Sequence, residues 1–188
     1  MLDSRTDIRE NVTYRLFDKD GKEKPLFQEN RLFTWLLSHG WVSPLFAKIP
    51  FLLGSWQYEK HVSNLITNAG RALISGLING SGSPAAATYV AVGTGTTAAS
   101  TADTTLQTES STSGLSRAAG TASLVTTSIT NDTAQVTKTF TVTGTVAVTE
   151  AGLLNASSSG TLLSRQVFSA INVVSGDSLQ ITWKVQNA

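Results

Sequence analysis

Cysteine is absent from the 188-residue chain, and histidine occurs only at His39 and His61. Without cysteine, the chain has no disulfide framework, no thiolate zinc site and no cysteine nucleophile. The two histidines have no acidic partner at ligand spacing, so a zinc site is not predicted either. We expect both histidines to face solvent or an interface.

An excess of charge of one sign is also missing, because 14 Lys and Arg residues balance 13 Asp and Glu residues. A net charge of +1 provides no field that favours nucleic acid or a membrane surface. The most apolar stretch, "WVSPLFAKIPFLLGSW", holds Lys48 and is interrupted by Pro44 and Pro50. A membrane span needs about 20 apolar residues in succession. The sequence therefore predicts neither a nucleic-acid partner nor a membrane partner.

The composition changes near residue 80. Residues 1–80 hold 18 of the 27 charged residues and ten of the 14 aromatic residues, whereas residues 81–188 hold 22 Thr and 16 Ser. The junction "NGSGSP" has the composition of a turn or linker. We therefore predict two regions, an N-terminal docking arm at 1–80 and a β-sandwich domain at 81–188.

The C-terminal region has the period-two pattern of β-strands. Apolar residues alternate with threonine from Ala134 to Val148, and Leu179, Ile181, Trp183 and Val185 alternate with polar residues in the last segment. Further strands are predicted at 88–92, 122–129, 150–155 and 162–168. Many short strands separated by turns predict a mainly β fold, an antiparallel β-sandwich that resembles a jelly roll.

The N-terminal region predicts a hairpin and one or two short helices. Asp20-Gly21 stands between apolar flanks, which is typical of a hairpin turn rather than of a calcium loop. The pattern around Trp35 predicts a helix from about 30 to 38 that ends at Gly40. A second apolar stripe predicts a helix from about 63 to 77, capped by Ser63. Gly70 and Gly76 in this helix suggest close packing against another element.

The segment "TYVAVGTGTTAAS" resembles the start of a dinucleotide-binding loop, with Gly93 and Gly95 after a short apolar run. The residues that follow are mostly Thr and Ser and have no apolar stripe, so no phosphate-binding helix is predicted. The acids Asp103, Glu109, Asp132, Glu150 and Asp177 are scattered singly, and no serine stands in a Gly-x-Ser-x-Gly motif. We predict no catalytic, cofactor-binding or metal-binding residues and no enzymatic activity.

The apolar residues of the N-terminal region are too numerous for one short helix to cover. Large apolar segments of this kind usually mark partner surfaces, although a second small core within the chain is the alternative. The predicted partner-docking residues are Trp35, Trp41, Phe46, Phe51, Leu52, Leu53 and Trp56.

Several segments resemble virion structural proteins of tailed bacteriophages. "ITNAGRALISGLINGSG" followed by "ATYVAVGTGTTAAS" is similar to the start of some tail-collar and tail-fibre domains. "TEAGLLNA" with "LLSRQVFSAINVVSGDSLQITW" is similar to β-sandwich domains of phage appendage and head-decoration proteins. The resemblance runs from about Ile66 to the C-terminus and does not decide between capsid, neck and tail.

The resemblance and the composition together predict a non-enzymatic structural protein of the virion, assembled in the host cytoplasm. Its N-terminal arm is expected to dock on capsid or neck and tail subunits while the sandwich is displayed outward. A homo-oligomer, such as a trimer, is implied by the resemblance alone. The alternatives are a receptor-binding module that recognises a glycan, and a hydrolase for which no constellation of residues is evident.

Overall fold

The computed structural model describes residues 8–43, 50–63 and 65–187. Two antiparallel sheets dominate these residues. The six-stranded sheet contains β1 (Ile8–Phe17), β2 (Glu23–Lys24), β5 (Lys60–Ser63), β9 (Thr121–Val125), β10 (Thr133–Thr141) and β13 (Ser178–Asn187). The five-stranded sheet contains β6 (Leu65–Ile66), β7 (Tyr89–Gly93), β8 (Ala118–Ala119), β11 (Val146–Leu154) and β12 (Leu162–Val173).

The strand order is β2-β1-β13-β10-β9 in the six-stranded sheet, with β5 pairing on β1, and β6-β12-β11-β7-β8 in the five-stranded sheet. One apolar core joins the two sheets, because it contains Tyr14 and Trp183 from the first and Leu153 and Phe168 from the second. The predicted mainly β, antiparallel sandwich is thus confirmed. Its jelly-roll-like connectivity stays a prediction.

Period-two alternation places the core residues as expected in the last strand. Leu179, Ile181 and Trp183 in β13 are fully buried, whereas the residues between them are partly exposed. In β10, Val136 and Phe140 are buried and Thr139 is exposed. The buried residues of the two strands share one face of the sheet because successive strand side chains point to opposite sides.

The run predicted from Ala134 to Val148 is not one strand. β10 ends at Thr141, and the chain crosses to the other sheet before β11 begins at Val146. Gly144 lies in this crossing, where a Cβ would come within 2.5 Å of the Ser113 hydroxyl. A glycine is therefore needed at the crossing because its neighbour approaches closely.

The predicted boundary at residue 80 does not separate two structural units, and this is a correction. β1 pairs along its full length with β13, from Ile8 opposite Asn187 to Phe17 opposite Ser178. Val12, Tyr14 and Leu16 of β1 belong to the common core. Composition changed at residue 80, but a strand from the first region lies inside the six-stranded sheet. Residues 81–188 therefore lack four strands of the two sheets, β1, β2, β5 and β6.

In the described ranges three helices accompany the sheets: α1 (Arg31–Ser38), α2 (Pro50–Leu53) and α3 (Asn68–Asn79). The helix predicted near Trp35 is confirmed as α1. The predicted start of α3 at Ser63 is wrong, because Ser63 belongs to β5 and Thr67 accepts the capping hydrogen bond from Gly70. The backbone of Leu163 in β12 lies directly against Gly70, so the close packing expected of that glycine is confirmed.

Candidate functional site

One segment leaves the six-stranded sheet after β2 and returns to it at β5. This segment, residues 25–59, is called the insertion below. It carries α1, α2 and a two-stranded ribbon of β3 (Leu26–Glu29) and β4 (Gly54–Gln57). The strands on either side of it, β2 and β5, both pair with β1. The insertion is therefore fixed to the sandwich at both ends.

The base of the insertion is buried. Leu26 belongs to the common core, and Lys60, just beyond the insertion, is buried with its Nζ donating to the Ser169 carbonyl at 3.3 Å. Arg15 of β1 holds Glu23 through its Nε at 2.6 Å and also lies 3.4 Å from Glu59. These contacts tie both ends of the insertion to the sheet.

Helix α1 is capped at both ends. Asn30 accepts a hydrogen bond from the Phe33 N–H at 3.2 Å, and its own N–H donates to the Leu53 carbonyl of α2 at 2.7 Å. At the other end the Trp41 N–H donates to the Leu36 carbonyl at 3.0 Å, and Gly40 has a φ of 72°. This is the Schellman arrangement, in which the left-handed residue after a helix favours glycine.

Three tryptophans of the insertion present their rings to solvent. Trp35 is 50% exposed, Trp56 is 68% exposed and Trp41 is 75% exposed. Trp35 stacks on His39 with ring centroids 4.5 Å apart, and Trp56 packs edge-on against Phe27 at 5.4 Å. Together with Tyr58 they are the exposed aromatic residues among the side chains that the structure describes. The rings are exposed although caps, stacking and strand pairing fix the backbone that carries them.

The other predicted docking residues differ in their surroundings. Leu52 and Leu53 of α2 are half-buried. The backbone of Phe51 belongs to α2, but its side chain lies outside the described part of the structure, as does the whole of Phe46. The structure thus brings Trp35, Trp41 and Trp56 into one insertion with Leu52 and Leu53.

Charge is scarce in the insertion. It carries four charged residues: Glu29, Arg31, Lys48 and Glu59. An apolar surface with little charge needs no desolvation of paired ions when it is covered by a partner. The arrangement is suited to binding an apolar surface.

The Gly93-x-Gly95 motif closes around a carboxylate of the chain itself. Glu150 in β11 is fully buried and accepts hydrogen bonds from the backbone N–H groups of Gly95 and Gln107 at 3.0 Å and of Thr108 at 2.6 Å. A Cβ on Gly93 or Gly95 would collide with the Glu150 carboxylate. The Thr108 carbonyl lies still closer to the Gly93 position, so the two glycines are explained by the close approach of Glu150 and of the Thr108 backbone, and no helix follows the motif.

Arg165 in β12 completes this cluster. Its Nε donates to Glu150 at 2.8 Å, and its Nη1 donates to Asp103 at 2.8 Å. The cluster fastens the 94–117 loop over the outer face of the five-stranded sheet, where Leu106 packs with Ala91 and Leu162. Sequence reasoning missed this pair. The available signal was one charged residue inside each of two otherwise uncharged strands, which predicts a buried ionic partner.

A polar pocket of about 350 Å³ lies beside this cluster. Its walls are hydroxyl, amide, carboxylate and guanidinium groups from Thr97, Thr104, Thr105, Gln107, Asp103 and Arg165. No aromatic residue lines it. The pocket has the hydrogen-bonding groups that a hydroxylated ligand needs but lacks a ring on which a sugar stacks.

The remaining acids of the C-terminal region hold other parts of the chain. Glu109 pairs with Arg117 at 2.6 Å, and Asp177 pairs with Lys24 at 2.8 Å. Asp132 accepts hydrogen bonds from the backbone N–H groups of Ile129, Thr127 and Ser128, which hold its pKa well below the ordinary value. Each of these three carboxylates has a partner within the fold.

Within the described ranges, no cluster of three or more His, Asp or Glu side chains is placed to hold a metal ion. None of the helices there has the length and apolar character that a bilayer crossing requires. His61 is exposed and contacts Thr13 at 2.9 Å, and His39 is exposed beside Trp35. The expectation that the two histidines face solvent is therefore confirmed.

One buried acid stands apart from these paired groups. Glu10 in β1 is 9% exposed, and neither of its carboxylate oxygen atoms makes a hydrogen bond of standard geometry. Burial raises its pKa from 4.5 to about 7, and the nearby Ser164 hydroxyl opposes part of that rise. Glu10 belongs to the six-stranded sheet and Ser164 to β12 of the five-stranded sheet, so Glu10 ionises where the two sheets meet.

Comparisons with protein-family models, with curated proteins and with solved structures each found no match for this chain. Function is therefore inferred from the insertion, the loop cluster and the sequence resemblance described above.

Proposed function

We propose that the chain is a non-enzymatic structural protein of a tailed-phage virion. In this proposal the insertion docks on a capsid, neck or tail subunit, and the β-sandwich is displayed outward. The observation that carries the proposal is the exposure of Trp35, Trp41 and Trp56 on a backbone that is already ordered. Exposed rings on a preorganised backbone lose little conformational entropy when they are covered, which favours docking.

The exposed area of these rings sets the scale of the docking energy. A tryptophan side chain buries at most about 250 Å², so the exposed fractions correspond to at most roughly 480 Å² for the three rings together. At about 25 cal/mol per Å², covering this area contributes at most about 12 kcal/mol. Association itself costs about 4–15 kcal/mol in lost translational and rotational freedom. Docking that depends on these rings therefore needs several of them together, and large losses are expected when two are removed.

The test uses particles of the parent phage assembled without this protein. Purified wild-type chain is mixed with them, and bound protein is measured by co-sedimentation. We expect wild-type protein to sediment with the particles, and the double variant Trp41→Ser with Trp56→Ser to lose nearly all binding. The control is Val174→Ser, which removes an exposed apolar side chain from a turn outside the insertion. Equal binding by folded forms of all three proteins would overturn the docking role of the insertion.

A second candidate function, glycan recognition as a receptor-binding module, is favoured by one observation. The polar pocket beside Asp103 and Arg165 presents several groups that pair with sugar hydroxyls. Against it, the aromatic residues of the C-terminal region, Tyr89, Phe140, Phe168 and Trp183, are buried or half-buried. A glycan array separates the two functions. A receptor-binding module should retain a glycan on the array, and the variant Thr105→Phe, which places a ring in the pocket wall, should abolish that binding. A docking protein should retain no glycan.

A further inference from the structure

A second apolar surface lies at the other edge of the six-stranded sheet from the insertion. A cavity of about 440 Å³ opens between helix α3 and the ends of the two sheets. Ile74 and Leu77 of α3 form one wall, and Leu124, Val136, Leu163 and Trp183 form much of the rest. Among the described residues, no charged side chain lines it. This cavity is distinct from the docking rings, which lie in the segment between β2 and β5.

The exposed wall of the cavity belongs to the core side of the sheet. Leu124 lies opposite Ala134, and Ala122 lies opposite Val136, a core residue, in the β9–β10 pairing. Leu124 is two residues from Ala122 and so shares its face, the core face of the sheet. It is nevertheless 62% exposed. The core face of β9 thus extends past the elements that cover the rest of the sheet.

The same end of the molecule carries apolar side chains that project outward. Ile78, next to the cavity wall on α3, is 82% exposed, and Ile129, in the loop between β9 and β10, is 71% exposed. The Asp132 carboxylate accepts the backbone N–H of Ile129 at 2.9 Å and so fixes this loop. Projecting side chains and a cavity that suits them therefore occur on one surface.

We propose that this surface binds a second copy of the same chain, with Ile78 or Ile129 of one copy entering the cavity of the other. Two features favour a copy over another occupant. The surface is self-complementary, because it contains both the projecting side chains and the cavity. It also meets its own copy without like-charge repulsion, since its lining is uncharged and the chain carries a net charge of only +1.

The outer edge of β9 adds a polar component to this contact. β9 is the last strand in the order of the six-stranded sheet, and no described strand pairs with its outer side. An unpaired strand edge presents backbone N–H and carbonyl groups that join a neighbouring chain readily. The apolar contact and the free edge lie together, so one partner covers both.

The experiment measures the oligomeric state of the full chain by sedimentation velocity and light scattering over a wide concentration range. We expect wild-type protein to self-associate. Ile78→Lys should weaken association by about 100-fold or more, because a charge would be buried without a partner. Lysine suits this position because a cation near a helix C-terminus is tolerated by the helix dipole. Val174→Lys, at the opposite end of the sandwich, is the matched control and should associate like the wild type.

A second variant tests the cavity without adding charge. Ala134→Phe fills the cavity from its own wall and should also give monomers, while its thermal melt stays cooperative. A small apolar dye should bind the Ile78→Lys monomer, in which the cavity is open, and not the wild-type assembly. A wild-type chain that is monomeric at all concentrations would overturn the proposal, as would an assembly that persists in both variants. Dye binding to a wild-type monomer would show instead that the cavity takes small molecules.

These outcomes do not depend on the function of the insertion. A Trp41→Ser, Trp56→Ser protein that fails to bind particles but still self-associates would leave this proposal standing. An Ile78→Lys monomer that still binds particles would leave the docking role of the insertion standing.

Discussion

Replacing Glu10 by glutamine is predicted to remove a pH-dependent loss of stability. Glu10 is buried without a hydrogen bond of standard geometry, and burial raises its pKa from 4.5 to about 7. The folded chain therefore holds its proton more tightly than the unfolded chain. The contribution of Glu10 to the free energy of unfolding should be highest below about pH 4.5 and should be lost as the pH rises through about 7.

The size of this effect follows from the two pKa values. A carboxyl that titrates near 7 when folded and near 4.5 when unfolded destabilises the fold by about 3 kcal/mol once it is ionised in both states. Glutamine keeps the shape of the side chain but does not ionise. Burying the glutamine amide lowers the free energy of unfolding by the same amount at every pH. The informative quantity is therefore how the difference in free energy of unfolding between wild type and variant changes with pH.

The assay is urea denaturation of wild type and Glu10→Gln at pH 4.5 and at pH 8. We expect the glutamine variant to gain about 3 kcal/mol relative to wild type between these two pH values. Glu23→Gln is the control that should change little between these pH values, because its hydrogen bond to Arg15 holds the pKa of Glu23 below the ordinary value, so that its contribution is lost only below about pH 4.5. If wild type and Glu10→Gln differ in free energy of unfolding by the same amount at both pH values, the reasoning is refuted.

Three further predictions concern the fold. Phe140→Ala and Trp183→Ala should each lower the free energy of unfolding by about 3–5 kcal/mol in chemical denaturation. Thr139→Ala, on the exposed face, should lower it by under about 1 kcal/mol. Similar losses in all three variants would contradict the face assignment. A chain of residues 81–188 alone should give no cooperative melt, because it lacks β1 and leaves unpaired the edge of β13 to which β1 binds. A stable, soluble fragment would contradict the single-core description. Gly70→Ala should lower the thermal midpoint strongly, because its Cβ would meet the Leu163 backbone. Gly80→Asn should be tolerated, because Gly80 is in a left-handed position with open space around it. Equal effects of the two changes would show that Gly70 is kept for another reason.

The sequence was sufficient to predict the strands whose pattern depends on local alternation. In β13 one face is apolar and the other polar, so the period identified both the strand and its buried side. The hairpin at Asp20-Gly21 was also predictable, because a turn residue stands between two apolar flanks. Trp41 and Trp56 were predicted as surface residues for a similar reason, since the short segments around them offer too little apolar surface to cover them.

The contacts between distant segments were not predictable in the same way. β1 alternates Val12, Tyr14 and Leu16 with polar residues, but the charged residues around it place it in a region of different composition. Its partner β13 is far away in sequence, and a single sequence carries no signal for such a pairing. The Glu150–Arg165 pair was missed for the same physical reason, because it depends on which strands become neighbours. The start of α3 was misplaced because Ser63 and Thr67 are both suitable caps, and strand pairing decided between them.

The most direct test of the docking account is a cryo-electron microscopy reconstruction of the phage particle in which we propose that this chain is a structural protein. We predict density for this chain with the rings of Trp41 and Trp56 buried against a neighbouring virion subunit and the sandwich on the outer surface. Particles that contain the chain with both rings in solvent, or with the sandwich forming the contact, would contradict it. Particles that contain no copy of the chain would contradict the proposed function as a whole.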